Sequence, residues 1–163
     1  MEKDQVQTLA GVILIKLATG VITCWGSLNL YILSYFYHQG VEISSSTNSV
    51  IILLNVLPIS FLILLATKLC HKFGYLPVIR VCGLIFFLSP FSISLHFNLT
   101  LMVLSCILLP VSAYAISSIP IINCLWTQFP KSKNKATAAA VICFGIGGAF
   151  WNYLFTISVN PTN

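Results

Sequence analysis

Side chains that could carry acid–base, nucleophilic or metal chemistry are few in this chain of 163 residues, and they are scattered. The acidic residues all lie outside the long apolar runs: Glu2, Asp4 and Glu42. The histidines lie near the ends of different runs, and no two have the spacing of metal ligands: His38, His71 and His96. The sequence also contains no nucleophile–base pair, phosphate loop or nucleotide-binding fingerprint. We therefore expect no catalytic residues, no metal site, no cofactor and no enzymatic activity.

The six cysteines do not change this expectation. They lie inside or at the ends of apolar segments: Cys24, Cys70, Cys82, Cys106, Cys124 and Cys143. None belongs to a CxxC pair or to a pair with histidine. We therefore interpret them as small side chains buried in a membrane, and not as disulfides or metal ligands.

The composition predicts an integral membrane protein. Apolar residues make up 58% of the chain, charged residues only 7%, and the mean hydropathy is +0.96, whereas a soluble domain has about a quarter of its residues charged. Five apolar runs are long enough to cross a bilayer, at residues 9–37, 50–66, 78–95, 99–126 and 136–159. Unpaired backbone groups are not tolerated in lipid, and no alternating strands are present, so these runs predict helices. The expected fold is a single all-α transmembrane domain over residues 1–163, with about five spans and the lipid bilayer as its surroundings.

The net charge of +5 could suggest a nucleic-acid partner, but the distribution of the charges argues against one. Six basic residues lie in or beside the second and fourth loops: Lys68, Lys72, Arg80, Lys131, Lys133 and Lys135. The first and third loops and the C-terminal tail contain no lysine or arginine. This asymmetry predicts that the N-terminus and loops 68–77 and 130–135 face the cytoplasm or a mitochondrial matrix. It does not indicate which membrane.

Polar and small residues form a stripe along the first run when a regular helix is assumed. The stripe consists of Lys16, Gly20, Thr23, Cys24, Ser27, Tyr31, Ser34 and His38, with Asn29 as a polar residue on the other side. Such a stripe could line a substrate cavity, with Ser27 and Tyr31 donating hydrogen bonds and Lys16 attracting an anion, and Asn29 is a further cavity candidate. It could equally allow close helix packing. For Lys16, which lies within a few turns of the helix start, we expect the ammonium group to reach the membrane interface.

The fifth run carries a ridge of small residues with helical spacing. Its members are Ala138, Gly145, Gly148, Ala149, Asn152 and Thr156. Small residues let two helix backbones approach, so Gly145, Gly148, Ala149 and Asn152 are the predicted packing residues. We expect Asn152 to hydrogen-bond to a neighbouring helix and Gly147 to add local flexibility.

Two short motifs lie in and beside the second and fourth loops. Leu69–Gly74 (LCHKFG) resembles the loop signature between the second and third spans of the major facilitator superfamily. Trp126–Thr137 (WTQFPKSKNKAT) resembles a link in the monocarboxylate and oxalate/formate branch of that superfamily, where an aromatic-Phe-Pro step precedes basic residues and an Ala-Thr helix start. The glycines of Gly145–Gly148 fall where that branch has its glycine-rich fifth span. Tyr114 and Pro120 in the fourth run also suit the pattern, and the resemblance makes Tyr114 a further cavity candidate.

The chain departs from this family in two respects. In the loop signature, Thr67 replaces the first glycine and His71 the acidic residue, and the fourth run has no arginine. The resemblance also implies an N-terminal six-helix repeat, whereas the apolar runs number five, so the sixth helix is expected to be missing.

Two functional hypotheses follow. The chain could be a half-transporter module for small organic anions that acts with another membrane polypeptide, since such carriers rock one repeat against another. Alternatively, it could be an accessory subunit that packs within a larger membrane complex without transporting.

Overall fold

The computed structural model describes residues 3–94 and 98–159, and every regular element in these ranges is helical. Five helices are long and apolar enough to cross a membrane: Lys3–His38, Ser45–Phe73, Tyr75–Ser92, Leu99–Gln128 and Lys133–Val159. We call them the first to fifth spans. The prediction of an all-α fold is confirmed for the described residues, and the length and apolar composition of the five helices are compatible with a multi-pass membrane protein.

The helices extend beyond the apolar runs because a helix satisfies its own backbone groups in water as well as in lipid. Two glycines with positive φ stop them. Gly40 (φ 76°) follows the first span, and its N–H donates to the carbonyl of Tyr37. Gly74 (φ 82°) donates to the carbonyl of Cys70, and it alone separates the second and third spans. Glycine is favoured in this left-handed conformation, which ends a helix. The predicted loop 68–77 is therefore helical except at Gly74.

Three of the spans contain irregular segments. Gly20–Cys24 in the first span is a 3₁₀ helix, the third span ends in the 3₁₀ helix Ser89–Ser94, and Val103–Leu108 in the fourth span is a π-helix. The π segment ends two residues before Pro110. A proline ring clashes with the carbonyl four residues earlier in a regular α-helix, so a wider turn at this point accommodates it.

The described residues form two compact units. The first unit contains the first and fifth spans together with the C-terminal end of the fourth span, from Leu125. The second unit is Ser45–Cys124, which contains the second and third spans and most of the fourth. The predicted site residues of the first and fifth spans therefore belong to the first unit, and Tyr114 to the second.

Candidate functional site

The first and fifth spans touch through their backbones at three glycines. A Cβ atom added to Gly20 would lie 2.5 Å from the backbone nitrogen of Gly148 and 2.7 Å from the carbonyl oxygen of Phe144. On the opposite helix, a Cβ on Gly147 would run into the backbone of Leu17. Only glycine fits at these two positions. We call this contact the glycine seam (Gly20, Gly147 and Gly148).

Hydrogen bonds reinforce the seam on both sides. The Cys24 thiol donates to the carbonyl of Gly148 at 3.0 Å, and the Trp151 indole Nε1 donates to the carbonyl of Leu17 at 3.1 Å. The Thr23 hydroxyl donates to the carbonyl of Gly20 at 2.7 Å and occupies the space beside Gly148. Hydrophobic burial contributes little between helices in lipid, so close packing and such hydrogen bonds hold these two spans together.

The predicted packing ridge and the seam overlap only at Gly148. Gly145, Ala149 and Asn152 are exposed, and a Cβ on Gly145 would meet nothing within 4 Å. The fifth span instead buries a neighbouring face, formed by Ala136, Ala140, Gly147 and Gly148. Gly147, which we expected to add flexibility, is one of the tightest contacts. The role of the three exposed ridge residues against another helix stays a prediction.

Lys16 lies inside the first unit and not at its surface. The residue is only 6% exposed, and its ammonium nitrogen is 5.8 Å from the centre of the Phe144 ring on the fifth span. A cation over an aromatic face is attracted by the ring quadrupole. The side chain thus does not extend to an exposed interface, contrary to expectation. A positive charge buried among apolar spans is costly, and it marks a candidate functional position.

The 3₁₀ segment changes which residues share a face of the first span. A 3₁₀ helix turns by about 120° per residue and an α-helix by about 100°, so five residues of 3₁₀ helix rotate everything beyond them by roughly 100°. Asn29 is thereby brought onto the face of Lys16, whereas Ser27 and Tyr31 are turned away and are half-buried. We call the resulting set the buried face of the first span: Val12, Lys16, Thr19, Trp25, Asn29 and Phe36.

Trp25 gives this face an unsatisfied donor. The residue is 8% exposed, and its indole Nε1 makes no hydrogen bond with any described residue. By contrast, the nearby Thr19 hydroxyl donates to the carbonyl of Ile15 at 2.9 Å. The only other buried side-chain polar atom without a partner in the described ranges is Oγ of Ser89, in the second unit. A buried N–H without an acceptor costs about 1–3 kcal/mol, so this position favours a molecule that brings an acceptor.

The remaining cavity candidates are not collected into one site. Tyr114 is half-buried in the second unit. Ser34, near the end of the first span, lines a shallow cavity of about 440 Å³ with Leu33, Tyr37, Glu42 and Ile43. The Glu42 carboxylate makes this cavity unfavourable for an anion.

The part of the chain that the structure describes contains no metal-binding group and no disulfide. No group of three His, Cys, Asp or Glu residues is placed to hold a metal ion, and the six cysteines are free thiols.

Comparison of the chain with protein-family models, with curated proteins and with solved structures finds no match. The resemblance to the major facilitator superfamily therefore stays a prediction from the sequence motifs.

Proposed function

We propose that the chain is a membrane module of a carrier for small organic anions and that it acts together with further membrane helices. In this proposal the buried face of the first span receives the anion. The observation that carries it is the buried Trp25 N–H without an acceptor, on the same helix face as the Lys16 ammonium. The motifs that resemble the monocarboxylate and oxalate/formate branch support the same substrate class.

The chemistry of this face suits a carboxylate. Lys16 contributes a positive charge, and Trp25 contributes a donor that a carboxylate oxygen satisfies with a charge-assisted hydrogen bond. Asn29 follows Trp25 by one helical turn, so its side chain is within reach of the same ligand. Lys16 is nine residues from Trp25, and five of these residues are in the 3₁₀ segment, so the separation along the axis is about 16 Å. The cation and the indole therefore act at successive positions along a path, and not on one small anion together.

Equilibrium binding of radiolabelled oxalate, formate and lactate to the detergent-solubilised protein, purified with its associated membrane proteins, tests this proposal. We expect Trp25→Phe to weaken binding by about tenfold or more, since hydrogen bonds to charged groups contribute about 1.5–3 kcal/mol. Trp126→Phe is the matched control, because Trp126 is exposed and its indole already donates to the Thr137 hydroxyl. Absence of saturable binding by the parent, or equal losses in the two variants, would contradict the proposal.

The exposed small residues of the fifth span, Gly145, Ala149 and Asn152, favour a second candidate function, that of a non-transporting accessory subunit whose spans pack within a larger membrane complex. Under this alternative, anions do not bind, and Trp25→Phe leaves the complex as stable as the parent because it removes an unsatisfied donor. Gly145→Leu, by contrast, breaks up the complex, because the larger side chain keeps a neighbouring helix away from the exposed small residues. Measuring anion binding and complex integrity in the same preparations separates the two functions.

We also propose an orientation. The N-terminus and the basic segments 68–77 and 130–135 face the cytoplasm or a mitochondrial matrix, and the first and third connections face the other side. The support is the segregation of lysine and arginine in the sequence.

A further inference from the structure

An open apolar groove of about 340 Å³ lies in the second unit and is lined by residues of the second, third and fourth spans. Its volume is at the lower end of the range of about 300–1,000 Å³ that is usual for ligand sites. The side chains that line it are apolar, and they include Leu69, Phe73, Val78, Val81, Ile85 and Ile116. The groove thus offers an elongated ligand apolar contacts alone.

A cation lies at one end of this groove. The ammonium nitrogen of Lys72 is 5.2 Å from the centre of the Phe73 ring, and that ring lines the groove. Phe73 is the last residue of the second span, so the charge lies where an apolar helix reaches its polar end. Lys72 is exposed, and its ammonium group is therefore accessible to a ligand.

From this juxtaposition we propose that the groove binds one acyl chain of an anionic phospholipid, with Lys72 at the headgroup phosphate. The apolar lining excludes a ligand that is charged along its length, and the cation selects a negative headgroup over a zwitterionic one. Basic residues at the membrane surface attract anionic lipids with about 1 kcal/mol each, which corresponds to a preference of about fivefold. This inference does not depend on the proposed transport of organic anions.

Native mass spectrometry of the full chain in a non-ionic detergent tests the site. The protein is titrated separately with dioleoyl phosphatidylglycerol and with dioleoyl phosphatidylcholine, and the affinity for the first bound lipid is measured. We expect the parent to prefer phosphatidylglycerol by about fivefold. Equal affinity for the two lipids would overturn the proposal, and the groove would then be interpreted as a contact site for another helix.

Three variants and one competitor locate the binding. Lys72→Gln should abolish the preference, whereas Arg80→Gln should retain it. Arg80 is exposed and lies two residues from both Val78 and Cys82, which places it on the far side of the third span from the groove. Val81→Trp should weaken binding of both lipids, since the ring occupies the groove.

Two results would show that the groove is not involved. One is an equal loss of preference in Arg80→Gln and Lys72→Gln. The other is displacement of the lipid by soluble glycerol 3-phosphate, which has the headgroup phosphate without the acyl chain.

Discussion

Adding a single methyl group at Gly20 should force the first and fifth spans apart. The new Cβ would lie 2.5 Å from the nitrogen of Gly148, whereas ordinary van der Waals contact begins at 3.4 Å. All three nearest atoms belong to the backbone of the fifth span, so no side chain can rotate out of the way. Overpacking of this kind costs about 1–3 kcal/mol, and the greater helix propensity of alanine offsets about 0.5–1 kcal/mol of it. We expect Gly20→Ala to lower the free energy of unfolding by about 1–2 kcal/mol.

The two spans provide matched controls for this change. Gly147→Ala changes the same seam on the fifth span. It should lower the free energy of unfolding by a similar amount, because its Cβ would contact the backbone of Leu17. At Gly11 on the first span and Gly145 on the fifth, an added Cβ meets nothing within 4 Å. Gly11→Ala and Gly145→Ala should therefore leave stability unchanged or raise it by up to about 1 kcal/mol.

Unfolding in detergent micelles, followed by tryptophan fluorescence, measures these differences. The three tryptophans, Trp25, Trp126 and Trp151, all belong to the first unit, so the signal reports on the part of the molecule that contains the seam. Circular dichroism on the same samples shows whether the helices remain intact. If Gly20→Ala unfolds at the same denaturant concentration as Gly11→Ala, the backbones of the first and fifth spans are not in contact at Gly20.

The remaining predictions concern the same unit and the orientation. Gly148→Ala should lower the free energy of unfolding less in a Thr23→Ala background than alone, because the added methyl group would contact the Thr23 hydroxyl and not a backbone atom. A double-mutant cycle in which the two free-energy changes are additive would contradict this. Trp151→Phe should lower the free energy of unfolding by about 0.6 kcal/mol, the mean for interhelical hydrogen bonds in membranes, and an unchanged value would show that its hydrogen bond is not stabilising. Single cysteines at Ser45 and Ser132 should be labelled from opposite sides of sealed vesicles, and labelling from the same side would refute the proposed orientation.

The number and type of the helices could be predicted because hydropathy depends only on local composition. The apolar run at 136–159 differs from the helix Lys133–Val159 by three residues at its start and by none at its end. The run at 50–66 omits more residues of its helix, since the helix Ser45–Phe73 continues through polar residues at both ends. Apolar length identifies the part of a helix that lies in hydrocarbon, and it does not show where the backbone hydrogen bonds stop.

The face of the first span could not be predicted in the same way. The predicted stripe requires a regular helix from Lys16 to His38. The 3₁₀ segment Gly20–Cys24 rotates the residues that follow it, so Asn29 lies on the buried side in place of Ser27 and Tyr31. Nothing in the residues GVITC marks a 3₁₀ helix. On the fifth span, both Gly147 and Gly148 were available as packing residues. The choice between them depends on which side the first span approaches, and this is a tertiary property.

Uptake by proteoliposomes is the most direct test of the proposed role in anion transport. The protein is purified with its associated membrane proteins, reconstituted, and supplied with labelled oxalate, formate or lactate. We expect saturable uptake that is strongly reduced by Lys16→Gln, which removes the buried charge, and that is unaffected by Lys131→Gln, which removes an exposed one. Uptake that is absent in the parent, or equal in the two variants, would contradict the proposal that the buried face of the first span carries an anion.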